Sequence, residues 1–236
     1  MVHIPRHSPA PSTLLANKTA WTNRWKGISA SKAKGDWATK KARKLLKEAL
    51  RPLTYGKCAY CESILDARTE PEIEHYVAKS ISPNLAFEWN NLLPACHGCN
   101  NAKGDQDHQN VLLKPDAEDP EPYFWVRPDS GQIEARDALS KAKQHRAGKT
   151  IRICGLDTGK LRDSRYLMML GLRGLLDRVS KRTPTEDELL VFGQYLQPAT
   201  PYKLVIRQVL TEAGAVKLVK RDREAFCVSR PASAVK

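Results

Sequence analysis

The clearest periodicity in the chain lies between residues 37 and 50, where Ala38, Ala42, Leu45, Leu46 and Ala49 recur at helical spacing. Such spacing lines one face of a helix, so a helix from Trp37 to Leu50 is predicted, with Asp36 at its N-cap and Pro52 ending it. The other face holds Lys40, Lys41, Arg43, Lys44, Lys47 and Arg51, a basic surface suited to following phosphates. Residues 1–13 carry three prolines and few apolar side chains, and an extended arm is expected there. Helical patterns return at about 138–149, at 158–181 around Leu161, Tyr166, Leu167, Leu170 and Leu175, at 185–196 and at 201–212. Thr185 followed by Glu188 is a capping-box pattern for the third of these. Between the helical regions, residues 104–137 are broken by Pro115, Pro120, Pro122 and Pro128, and Arg127–Ile133 suggests a hairpin turn. A frayed tail is expected over 220–236.

Charge sharpens this picture. The formal net charge is +13 with a pI near 9.5, which points to a polyanionic partner, nucleic acid before membrane. Residues 1–57 contain thirteen Lys/Arg against two acids, whereas 104–137 contain nine Asp/Glu against three Lys/Arg. No stretch has the 18 to 20 apolar residues of a membrane helix, and the N-terminus lacks an apolar signal core. A cytoplasmic location and no membrane partner are therefore expected. In a reducing cytosol the six cysteines are read as metal ligands or free thiols rather than disulfides.

Cys58-Ala-Tyr-Cys61 and Cys96-His-Gly-Cys99 form two CxxC knuckles with thirty-four residues between them. Together they offer the four thiolates of a closed tetrahedral structural Zn²⁺ site. The surrounding sequence is too loop-rich to build its own core, so the metal would act as a staple. His97 is an alternative ligand inside the second knuckle. Cys154 and Cys227 lie outside and are expected to be small apolar residues or free thiols. Trp21, Trp25 and Trp37 are expected in core or interface packing, with stacking on bases as the other use.

Between the knuckles, Ile73-Glu74-His75-Tyr76 favours a strand; Trp89-Asn90-Asn91-Leu92 and Cys99-Asn100-Asn101-Ala102-Lys103 follow. The order Cys-x2-Cys, Glu-His, Asn-Leu, Cys-x2-Cys-Asn-x2-Lys resembles the HNH nuclease family. The resemblance implies a ββα-metal fold and assigns roles position by position. His75 is the general base that activates water, and Glu74 and Asn100 hold the catalytic Mg²⁺ or Mn²⁺. Asn91 holds the loop and orients the histidine, and Lys103 meets the phosphate. Glu74 departs from the Asp of many members. An unperturbed histidine pKa near 6.5 suits general-base work.

A narrower resemblance covers almost the whole chain, carried by Ile4-Pro5-Arg6, Ile73-Glu74-His75-Tyr76-Val77-Ala78-Lys79-Ser80, Leu112-Leu113-Lys114-Pro115, Asp119-Pro120-Glu121 and Thr150–Asp157. The chain here is similar to the HNH nucleases of Septu-type and retron-associated anti-phage defence systems, which implies an ABC-type ATPase partner of the PtuA kind. The chain itself has neither GxxxxGK[ST] nor GxGxxG, so any ATP dependence would come from another subunit.

The resulting expectation is an α+β chain, a zinc-stapled ββα-metal module set in a mostly α-helical framework. Its segments are an arm and basic helix (1–54), the nuclease module (55–110), and an acidic connector with a helical C-terminal region (111–236). The expected activity is hydrolysis of nucleic-acid phosphodiesters, of DNA first with RNA such as tRNA as the alternative. A stand-alone restriction or mobile-element endonuclease is a second reading. A non-catalytic zinc module that binds nucleic acid is a third, but it gives no reason for Glu-His and the paired asparagines to share one pair of knuckles.

Overall fold

The computed structural model describes residues 1–6, 9–30, 36–66 and 71–228, with the backbone alone for Val216 and 226–228. The expected tail beyond 228 and the side chain of Cys227 lie outside the described residues. Helix α1 (Ser12–Ala30) precedes helix α2 (Lys40–Leu50). Strands β1 (Glu72–His75) and β2 (Leu92–Ala95) pair antiparallel, with His75 opposite Leu92 and Glu72 opposite Ala95. Helix α3 (His97–Lys103) follows at once. A second hairpin, β3 (Phe124–Val126) with β4 (Ile133–Ala135), leads to α4 (Lys141–Ile153), α5 (Gly159–Lys181), α6 (Glu186–Leu196), α7 (Lys203–Glu212) and α8 (Val216–Val228). The whole is mixed helix and small sheet, as the residue patterns predict. No helix among the described residues is long and apolar enough to cross a membrane.

Helix α2 buries Ala42, Leu46 and Leu50 against β1 and β2, which turns the apolar stripe into the floor of the first sheet. Its N-cap is Thr39, whose side chain accepts from the Ala42 N–H at 3.1 Å. Asp36, the expected cap, instead forms a two-pronged pair with Arg43 at 3.0 Å. Helix α1 was not legible because only Leu14 of its side chains is buried. It is held by aromatics instead: Trp21 lies against Phe87 with centroids 5.4 Å apart, and the Trp25 indole N–H donates to the Lys79 carbonyl.

The N-terminal arm is extended yet tied down. Val2 and Ile4 are buried, and the Ile4 N–H donates to the Pro115 carbonyl at 2.7 Å. In the β3–β4 turn, Gly131 has φ +68°, and a Cβ there would sit 2.1 Å from the Arg162 carbonyl oxygen of α5. Only glycine allows that approach. Helix α8 was expected to fray, but its Asp222 is buried and takes ion pairs from Lys203 and Arg207 of α7. Arg207 also reaches Glu121 at 2.7 Å. This buried charge network joins the last two helices to the acidic connector, and its apolar surroundings belong to one continuous core.

Candidate active site

The four knuckle cysteines converge, as their spacing predicts. Their Sγ atoms all lie within 4.8 Å of one another, and Cys61 Sγ is 3.8 Å from Cys96 Sγ. A tetrahedron of sulfurs about 2.3 Å from zinc has edges of about 3.8 Å, so the donor set and its size fit Zn²⁺. The knuckle backbone is folded for the purpose. The Glu62 N–H donates to the Cys58 carbonyl at 3.0 Å, and the Ala59 N–H donates to the Pro94 carbonyl at 2.9 Å, joining the first knuckle to β2. Cys96 Sγ caps α3 by accepting from the Cys99 N–H at 3.5 Å. Hydrogen bonds from the other three sulfurs hold the Cys96 thiol far below its ordinary pKa. The bond to Cys58 lowers Cys61 to about 7, and burial pushes Cys58 up. Hydrogen bonds to the other three sulfurs push Cys99 up as well, so the cluster concentrates negative charge on Cys96 and Cys61. His97 is not part of it; its Nδ1 lies 2.9 Å from Glu72.

Strand β1 and helix α3 lie side by side, and their polar side chains form a two-rung ladder. On the first rung the Asn100 amide donates to Glu72 at 2.6 Å. On the second, the Lys103 ammonium sits 2.7 Å from Glu74 and also donates to the His75 carbonyl at 2.8 Å. The period of two along a strand puts Glu72 and Glu74 on one face, and one helical turn separates Asn100 from Lys103. Tyr60 completes the second rung by donating to Glu74 at 3.2 Å. Burial raises the Glu74 carboxyl pKa, while Lys103 acts against that rise. Lys103, expected at a phosphate, is therefore turned inward: its charge is spent on Glu74 and it is 2 % exposed. Glu72 was missed by sequence reasoning, although the Glu-x-Glu-His alternation marks it.

His75 projects from the opposite face of β1 and is 4 % exposed. Its Nε2 lies 3.0 Å from the Ala86 carbonyl oxygen. A carbonyl can only accept, so Nε2 carries the hydrogen and Nδ1 keeps its lone pair. The Trp37 indole meets the imidazole edge-on, with centroids 4.7 Å apart. Burial first, then the nearby charge of Lys79, lowers the pKa of His75 to about 3. This differs from the near-neutral value expected of an unperturbed histidine, because the imidazolium would be desolvated beside an ammonium. Asn91, in the turn just before β2, accepts from the Val77 N–H at 2.8 Å and donates to the carbonyls of Val77 and Leu85 at 3.0 Å each. It pins both ends of the loop that carries Ala86, and through that loop it sets the direction of His75.

The oxygen donors near this site, a carboxylate from Glu74 and an amide from Asn100, are of the kind a hard divalent cation takes. Each has a protein partner in the ladder.

Residues 58–106 match the HNH endonuclease family model, a span that holds both knuckles, β1, β2 and helix α3. The relatives are more particular. The chain is 31 % identical over 122 residues to the Septu protein PtuB of Bacillus thuringiensis, covering 51 % of this chain and 44 % of that protein. It is 29 % identical over 151 residues to the Septu protein PtuB of Bacillus mycoides strain KBAB4, covering 51 % of this chain and 49 % of the relative. The chain thus spans about half the length of the curated relatives it matches.

Proposed function

We propose that this chain is a metal-dependent endonuclease that hydrolyses nucleic-acid phosphodiesters, with His75 as general base. We further propose that it is the nuclease of a Septu- or retron-type defence complex with an ABC-type ATPase. The observation that carries the chemistry is the fixed imidazole. With Nε2–H held by the Ala86 carbonyl, Nδ1 is the lone pair available to take a proton from water. That water would attack phosphorus and give its proton to Nδ1, and the phosphorus–oxygen bond to the leaving oxygen would break. The low pKa keeps His75 neutral, and the negative charge of an arriving phosphodiester would raise its basicity. Asn91 positions the base through the loop it pins. Glu74 and Asn100 would hold Mg²⁺ or Mn²⁺ by exchanging Lys103 and Glu72 for the ion, which when bound would neutralise charge on the phosphate and the leaving oxygen. The four cysteines would hold a structural Zn²⁺.

The defence role is supported by the Septu relatives and by the amount of chain lying outside the HNH match, which offers room for a partner. The test is cleavage of supercoiled plasmid and of total tRNA with Mg²⁺ or Mn²⁺, by the chain alone and with its ATPase, using His75→Ala as control. His75-dependent cleavage only with the ATPase supports the complex, and the substrate cut decides between DNA and RNA. His75-dependent cleavage by the chain alone makes it a stand-alone endonuclease. Binding that persists in EDTA, with no cleavage under any metal, returns the chain to a zinc binding module.

A further inference from the structure

Beside the divalent ion, a nuclease acting through His75 gains from a side-chain cation that holds the scissile phosphate, and Lys103 is committed to Glu74 and to the His75 carbonyl. Lys79, four residues beyond the base, is placed differently. Its backbone is anchored by the Trp25 indole N–H, which donates to its carbonyl at 3.2 Å. Its ammonium lies 6.0 Å from the centroid of the Trp37 ring, the same ring that abuts His75, so a single indole separates the cation from the base. Lys79 is half-buried. Glu74 and Asp105 are the acids whose fields reach it, yet it forms an ion pair with no carboxylate of the described residues. A partly desolvated charge that lies over an aromatic face and pairs directly with no carboxylate is incompletely compensated, and an anion arriving beside Trp37 would balance it.

We infer that Lys79, seated on Trp37, is the side chain that binds the scissile phosphodiester next to His75. This rests on the nuclease reading and names the phosphate contact within it. The ligand is the phosphodiester itself, a group that DNA and RNA share.

The test measures binding in the full chain carrying His75→Ala, so that nothing is cut. A short fluorescent DNA duplex and a fluorescent tRNA serve as separate probes, each titrated across a potassium chloride series. Lys79→Met should weaken binding several-fold and reduce the slope of log K against log salt by about one, the signature of one lost phosphate contact. Lys79→Arg should restore both. Lys103→Met should lower the melting temperature and leave the slope unchanged. A slope change confined to one probe assigns the phosphodiester to DNA or to RNA. If Lys79→Met melts below its parent, Lys79→Gln is used for the same comparison. An unchanged slope on both probes in a variant that melts like its parent overturns the inference, as does failure of the parent to bind either probe. The nuclease reading fails separately, if His75→Ala cleaves as the parent does.

Discussion

At the residue scale, His75 couples chemistry to stability. Its replacement by alanine should reduce cleavage by roughly 10²- to 10⁴-fold, the usual contribution of a positioned base, read as the rate of plasmid or tRNA loss. The buried imidazole also gives a pH signature. An unfolded chain binds a proton at His75 below about pH 6.5, whereas the folded one resists until about 3. The unfolded state therefore holds more protons across that window, and this contribution to stability is full above 6.5 and lost as pH falls toward 3. Unfolding free energies of the parent, measured in denaturant, should fall more steeply than those of His75→Gln over that window, by up to about 1.4 kcal/mol per pH unit. Parallel curves would show that His75 titrates normally. The raised pKa of Glu74 acts in the opposite direction, but it is present in both proteins and drops out of the difference. The site was legible in sequence as a set of residue types at given spacings. The pairing of Asn100 with Glu72 and of Lys103 with Glu74 was not, because which polar groups meet depends on how β1 lies on α3.

At the element scale, two joints are open to direct test. In Asp222 of α8, one carboxylate neutralises both Lys203 and Arg207. Asp222→Ala leaves buried cations short of a counter-charge and should cost about 3–5 kcal/mol of unfolding free energy, measured in urea. Gly131→Ala places a methyl group inside the α5 backbone. It should destabilise by about 1–3 kcal/mol, and a melt matching the parent would mean that the hairpin does not pack there. Helix α2 and the α4–α7 series were readable because their apolar residues recur on one side and their ends carry caps such as Thr185. Helix α1 was not, since two tryptophans rather than a stripe hold it. Helix α8 reads as tail in sequence because its charged residues suggest a solvated segment, whereas Asp222 faces inward to α7.

At the scale of the whole molecule, the cysteine cluster sits within one core that runs from the arm to α8. Removing a Zn²⁺ held there should therefore lower the melting temperature of the entire chain in a single transition. At about 2–4 °C per kcal/mol for a chain of this size, Cys58→Ala should lose roughly 10 °C or more, and atomic emission should show about one zinc fewer per chain. An unchanged melt would refute a structural metal. One contact ties this knuckle to distant sequence. Glu62, directly after Cys61 and held at φ +65°, accepts from the backbone N–H groups of Lys203 and Leu204 at 3.0 and 3.4 Å, the first residues of α7. Chain synthesis runs from the N-terminus, so the knuckle leaves the ribosome well before the helix it caps. Through that interval the Glu62 carboxylate lacks the two N–H donors of its helix. The joint between the first knuckle and α7 can form only after 141 further residues have been made, so a knuckle read early in synthesis waits for a helix read late.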